Sequence, residues 1–211
     1  MGNDLIGEDT AKAIQETAKF GGKLVDASSA AGGYLSNTLG SLPENLVGLI
    51  GDQVAYWRRR RWIDLSADLE RRLGDRGVKG VEPSPTLAIP ILQAAVDETR
   101  EALKELWARL LANAFDPNRT HLVRSSFIEL LKKFDPMDAV VFEVMASQTG
   151  DLSPNARDFV VAKLGSRSSL EEVLVSFENL EQLGCISRMN RDAWNPIITN
   201  RGKLLYRALT K

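Results

Sequence analysis

Four consecutive arginines, Arg58 to Arg61, stand between Tyr56-Trp57 and Trp62 in the stretch AYWRRRRWID. Guanidinium groups pair with phosphates and carboxylates and stack on aromatic rings. Three chemistries are therefore open to the stretch: a nucleic-acid tract, an anchor at an anionic membrane surface, or ion pairing along a charged helix. Other reactive side chains are sparse. One histidine, His121, and one cysteine, Cys185, leave no set for structural zinc, and a lone cysteine excludes an intramolecular disulfide. His121 follows Asp116-Pro117-Asn118-Arg119-Thr120 in a polar loop. Ser125, Ser126 or Asp116 would be its partners in catalysis, yet no Gly-x-Ser-x-Gly elbow accompanies them, and it reads as a loop or cap residue. Cys185, in Leu-Gly-Cys-Ile, reads as a small buried hydrophobe. The glycine pairs at 21–22 and 32–33 lack the Gly-Lys-Ser/Thr of a phosphate loop. Trp107 and Trp194 read as core and wing-anchor aromatics. These residues predict no catalytic centre, no metal and no cofactor.

Helical geometry decides how the arginines can act together. Successive side chains on a helix turn by about 100°, so four in a row point around the axis and make no single basic face. Arg61 lies four residues after Trp57 and four before Leu65, on the apolar stripe, and is expected to be a core-facing charge. Such a charge needs an acid, with Glu101 and Glu105 as candidates, or a route for its head to water. The membrane alternative uses Tyr56, Trp57, Arg58, Arg59, Arg60 and Trp62 as one surface. Rings suit headgroup depth, and cations meet lipid phosphates. Between Asp26 and Asp52 the only charged residue is Glu44, but Ser28, Ser29, Asn37, Pro43 and Asn45 make this segment too polar to span as a single helix. It would lie in the interface, or insert after oligomerising through small residues spaced four apart, such as Ala18/Gly22 and Ser29/Gly33.

The elements that must carry these residues fall into three zones. Residues 1–43 form an amphipathic leader of small residues. Residues 44–134 have the period of a helical bundle, starting with a long helix to residue 74 whose Trp57, Leu65, Leu69 and Leu73 recur at threes and fours. A helix over 87–96 follows, with Pro90 near its first turn, then helices over 98–115 and 126–134, each closed by Asp-Pro. Residues 135–211 predict two helices, then a third, SLEEVLVSFENLEQLG, burying Leu170, Val173, Leu174, Phe177 and Leu180. Two strands, CISRM and NPIIT, and a closing helix complete a winged-helix-like module. The fold class is thus all-α with a minor β-hairpin: a helical bundle, then the module, with the boundary near Phe134-Asp135-Pro136.

A wing of this kind is a second candidate surface. From residue 185 onward six basic residues, among them Arg188, Arg191, Arg201 and Lys203, face Asp192 alone. They could track nucleic-acid phosphates. The third helix of the module opposes groove readout, because its solvent side bears Glu171, Glu172, Glu178 and Glu181 and no base, which works against counterion release. The module is expected to hold a protein partner or a second copy of the chain, with nucleic acid disfavoured.

Bulk composition agrees with a folded protein of ordinary character: 211 residues, 44% hydrophobic, 26% charged, net charge −1. The N-terminal MGNDLIGEDT lacks a basic-then-apolar signal, and no run of about 18 apolar residues occurs. The expected location is cytoplasmic, with a peripheral position at the inner membrane face open.

Three stretches, LIGDQVAYWRRRR (49–61), LWARLLANAFDP (106–117) and SSFIELLKKFDPMDAVVF (125–142), resemble the abortive-infection alpha family of prokaryotes, over roughly residues 20–205. The resemblance implies a role in phage resistance through arrest or death of the infected cell. It brings no catalytic residues to carry over. The expected protein is a non-enzymatic effector or sensor working through protein contacts and a conditionally membrane-active N-terminal segment; the alternative is a nucleic-acid-binding regulator using the wing and the arginine run.

Overall fold

The computed structural model describes residues 52–148, 156–165, 168–190 and 193–210, with the side chains of 52–56, 59, 189–190 and 193–195 left aside. The chain divides into two compact units, Met1–Glu82 and Pro83–Lys211. The boundary expected at Phe134-Asp135-Pro136 therefore lies within the second unit, where Phe134 is a buried core residue. The leader over 1–43 lies outside the described residues.

In the first unit the described element is α1 (Asp52–Asp75). Trp62, Ser66, Leu69 and Leu73 are its buried positions, spaced four, three and four, which is one face of a helix. Ser66 sits on that face at little polar cost because its Oγ donates to the Trp62 carbonyl at 2.8 Å. Arg72 is also buried, and its Nε donates to Asp68 Oδ2 at 2.6 Å, one turn earlier. This stripe is offset from the one expected through Trp57, Arg61 and Leu65: Trp57 is 61% exposed, and the other two are half-buried.

The second unit is built around α3. It comprises α2 (Pro85–Asp97), α3 (Glu101–Phe115), a 3-10 turn at Thr120–Leu122, α4 (Ser125–Leu131), α5 (Pro136–Ala146), α6 (Ala156–Leu164), α7 (Leu170–Gln182), β1 (Ile186–Asn190), β2 (Ala193–Ile198) and α8 (Asn200–Leu209). From Leu110 to Phe115 every residue of α3 is buried, and α2, α5 and α8 all pack on it. The C-terminal part of α3 is thus buried all round, at the centre of this unit, while Glu101, Lys104, Glu105 and Arg109 occupy the outer side of its first turns. Pro85, rather than Leu87, begins α2, so Pro90 falls in the helix interior and leaves the Thr86 carbonyl without a fourth-residue donor. Edge-to-face rings join the next layer, Phe134 to Phe142 at 5.6 Å and Phe142 to Tyr206 at 6.3 Å between centroids.

Local sequence sets the boundaries of the later elements. Ser169 Oγ accepts from the Glu172 amide at 3.2 Å while Glu172 Oε2 accepts from the Ser169 amide at 2.8 Å, a capping box that starts α7. The helix stops at Gly184, whose φ of 71° suits a residue without Cβ; the Cys185 amide then donates back to the Leu180 carbonyl and the Gly184 amide to that of Glu181, both at 2.9 Å. Leu170, expected inside, is 42% exposed at the first turn, and the buried face is Val173, Ser176, Phe177 and Leu180. The two antiparallel strands pair Ile186 with Ile198 and Arg188 with Pro196, with an irregularity between Arg188 and Asn190. Pro196 fits because each strand of a two-stranded sheet has a free edge.

Candidate functional site

The arginine run lies on α1, where the exposed Trp57 and the half-buried Arg61 meet face on, with the guanidinium carbon 5.5 Å from the ring centroid. Geometry of this kind is a cation–π contact, and i to i+4 spacing on a helix provides it. Arg58 is half-buried and Arg60 exposed, while Trp62 is only 6% exposed and belongs inside rather than on the surface its neighbours share. The side chains of Tyr56 and Arg59 lie outside the described residues. Of the acids expected to serve Arg61, Glu101 accepts from Lys104 at 2.7 Å and Glu105 from Arg109 at 2.7 Å.

At the C-terminal end of the second unit the residues expected to form a basic wing separate into different roles. Arg188 Nε donates to Glu181 Oε2 at 2.7 Å, tying β1 to α7. Arg201 is exposed at the start of α8, its Nη1 3.4 Å from the Leu183 carbonyl, and Lys203 is exposed one turn on. Arg191 lies outside the described residues, as does the Trp194 side chain. Cys185 is fully buried, and burial pushes its thiol up to about 11, against a smaller opposing effect of the Arg201 charge. A thiol so placed stays protonated at neutral pH and is no nucleophile. His121 is exposed on the 3-10 turn, and its imidazole makes no hydrogen bond or ion pair with the described residues.

Two polar clusters of the second unit escaped the sequence. The first closes the junction of α2 and α3 beside an open cleft of about 360 Å³ lined by Ala94, Asp97, Glu98, Thr99, Arg100, Trp107 and Lys132. Arg100 grips Glu98 through Nε and Nη2, each at 2.9 Å, and its amide adds a third bond at 2.9 Å. Its Nη1 reaches the Phe134 carbonyl at 3.1 Å and Asp135 Oδ1 at 3.3 Å. Burial pushes the Glu98 carboxyl up, but the Arg100 hydrogen bonds and charge together outweigh it and hold the group below its ordinary value. Nearby, Asp138 Oδ2 accepts from the Asp135 amide at 2.7 Å and from Asn179 Nδ2 at 2.5 Å, joining α5 to α7. Arg109 bridges Glu105 and Glu143 in the same way between α3 and α5. In the second cluster Asn113 and Arg119 hold the end of α8, with Asn113 Nδ2 donating to the carbonyls of Ala208 at 2.8 Å and Thr210 at 3.0 Å, and Arg119 Nη1 to Thr210 at 2.7 Å.

These clusters are internally paired, so they hold elements together and present no reactive pair. Arg100→Ala is expected to cost about 1–2 kcal/mol, since it strands a buried carboxylate but removes a partner whose outer edge is already solvated. Acid checks the cause. With the Glu98 value depressed in the folded state, its contribution is complete above the unfolded value and lost as pH falls through the folded one. The difference between wild type and Arg100→Ala in urea unfolding should therefore shrink below about pH 4. A gap unchanged down to pH 3 would show that the pair contributes nothing.

The sequence profile described as abortive infection alpha matches residues 58–199, about two thirds of the chain. The chain belongs to the abortive infection alpha family. Membership carries the role its description names, abortive infection, and with it defence against phage. No curated protein and no solved structure matches the chain. The match to this family begins at Arg58, the first arginine of the run, and ends at Thr199, the N-cap of α8, so it takes in α1 from Arg58 onward, the Arg100 cluster, α7 and the hairpin. It is narrower than the span of roughly 20–205 expected from the three stretches, of which it covers the second and third in full and only residues 58–61 of the first. Among the described residues no group of acids, histidines and cysteine could hold a metal ion, and no helix is long and apolar enough to cross a membrane.

Proposed function

We propose that this abortive-infection protein is a non-enzymatic effector that acts at an anionic membrane surface through the start of α1. One observation carries the reading: Trp57 is largely exposed, with Arg61 on its ring and Arg60 beside it in solvent. An indole in water is costly unless a surface awaits it, and aromatic–arginine pairs match the depth of lipid headgroups. The buried Trp62–Ser66–Leu69–Leu73 stripe would hold α1 to its own unit while the Trp57 side faces lipid. A protonated, buried Cys185, an unpartnered His121 and internally paired carboxylates support the non-enzymatic part. The order helix, helix, helix, hairpin, helix from α5 to α8 supports a winged-helix-like module that contacts protein. In the cell the protein would be cytoplasmic and peripheral to the inner membrane when active.

Flotation with vesicles rich in phosphatidylglycerol tests this. Wild type should float at low salt and stay behind with neutral vesicles. Arg60→Ala should weaken binding about fivefold, the equivalent of roughly 1 kcal/mol per basic residue near the surface. Trp57→Ala should weaken it at least as much. Absence of wild-type flotation on the anionic vesicles would end the membrane reading, as would flotation that ignores both substitutions.

A further inference from the structure

We propose that the protein self-associates by docking the acidic face of α7 in one copy onto the basic face of α8 in a second. The inference is independent of the membrane reading, because both faces belong to the second unit. On α7 the positions Glu171, Val175 and Glu178 follow one another at four and three residues and share a side of the helix. All three are exposed, Val175 by 64%, and neither glutamate has an ion-pair partner among the described residues. Glu181, further along, is already paired with Arg188, which leaves Glu171 and Glu178 as the acids of this side with no ion-pair partner among the described residues. On α8 the exposed Lys203 and Arg207 stand one turn apart, also without ion-pair partners, and no acid occurs between Asn200 and Leu209.

The two faces are opposite in charge, and the acidic one carries an exposed aliphatic residue. Glu171 and Glu178 are about 10.5 Å apart along the helix axis, and Lys203 and Arg207 about 6 Å. Side chains as long as lysine and arginine span the difference, and their methylene stems can lie over Val175 while their heads reach the two carboxylates. An acid row with an exposed aliphatic residue at its centre suits such a partner better than it suits free solvent. Because the contact joins two different patches, it either closes reciprocally into a two-fold dimer or propagates head-to-tail into a ring or an open chain. Exposed ion pairs make it weak and salt-sensitive.

Sedimentation velocity on the full chain tests the proposal. Wild type should associate as concentration rises at about 50 mM salt and dissociate at about 500 mM. The double variants Glu171→Lys/Glu178→Lys and Lys203→Glu/Arg207→Glu should each sediment as monomers. Mixed in equal amounts they should associate again, because the reversed α7 of one then meets the reversed α8 of the other. A wild type that stays monomeric at low salt overturns the proposal. So does association that survives both double variants, or a mixture that fails to recover it. A monomeric wild type that binds a duplex oligonucleotide in a salt-sensitive way, with binding lost in Lys203→Glu/Arg207→Glu, would assign α8 to nucleic acid instead.

Discussion

Replacing Gly202 by alanine is expected to lower the melting temperature of the second unit by roughly 6–12 °C. A Cβ at this position would lie 2.1 Å from the Cys185 carbonyl oxygen, 3.1 Å from its carbon and 3.2 Å from Ile198 Cγ2. The obstructing atom is backbone, and it is pinned: it accepts from the Thr199 amide at 3.1 Å, and the Thr199 hydroxyl, 3.1 Å from it, donates at 2.7 Å to the neighbouring Gly184 carbonyl. Thr199 in turn caps α8, its Oγ1 taking the Gly202 amide at 3.0 Å. Making room means pushing α8 away from the end of α7 and loosening the cap, at a cost of about 3 kcal/mol. For a chain of this size each kcal/mol moves the midpoint by about 2–4 °C. Gly74→Ala supplies the contrast. That position lies in α1 with nothing within 4 Å of an added Cβ, and its melting temperature should hold or rise slightly. A shift under 2 °C for Gly202→Ala in thermal circular dichroism would mean that the Cys185 carbonyl yields freely.

Asn113→Asp is expected to destabilise the second unit by about 3 kcal/mol at pH 7, with part of the loss recovered in acid. Asn113 is fully buried in α3, and its amide nitrogen is the donor to the Ala208 and Thr210 carbonyls. An ionised carboxyl in that place only accepts, so two carbonyl dipoles and one charge would confront each other in a dry site. The introduced group escapes by taking up a proton, which raises its folded-state value above the unfolded value of about 3.9. A raised acid value makes the deficit grow as pH climbs from the unfolded to the folded value and shrink toward pH 4. A deficit of about 3 kcal/mol corresponds to roughly two pH units of displacement. Urea unfolding at pH 7 and pH 4.5 measures it. Equal deficits at both would show that lost shape, rather than charge, is responsible. Asn113→Leu should be damaging at both values, since it orphans the same carbonyls without a titrating group.

Elements dominated by their own sequence were legible in advance. The Asp135-Pro136 start of α5, the Ser169/Glu172 box and the Gly184 stop are short-range devices, visible within a few residues. The apolar face of α3, with Leu103, Leu106, Trp107, Leu110 and Leu111, was visible for the same reason. Properties set by distant partners were not legible. Within LLANAF, Asn113 looks like a polar interruption, and its use depends on where α8 finishes, 95 residues later. On α1 the spacing put Trp57, Leu65, Leu69 and Leu73 on one face, with Arg61 among them. The structure buries Trp62–Ser66–Leu69–Leu73 instead, since a serine that bonds its own helix can be tolerated inside. Glu98 looked like the first residue of α3, yet its tight pairing with Arg100 makes it the link between two helices. The motifs pointed to the family through fingerprint residues, and those residues are framework: Trp107, Leu110, Leu111, Phe127 and Phe142 are all core.

The bond from Asn113 to the far end of α8 also sets the timing of synthesis. At about 5–20 residues per second, the 95 residues between Asn113 and Ala208 take roughly 5–20 s to add. Until α8 follows, the side of α3 that it covers and the Asn113 amide lack the partners they have in the folded unit. Completion of the second unit is thus a late, single event tied to the arrival of residues 200–210. A nascent chain interrupted before then leaves a product without its last wall.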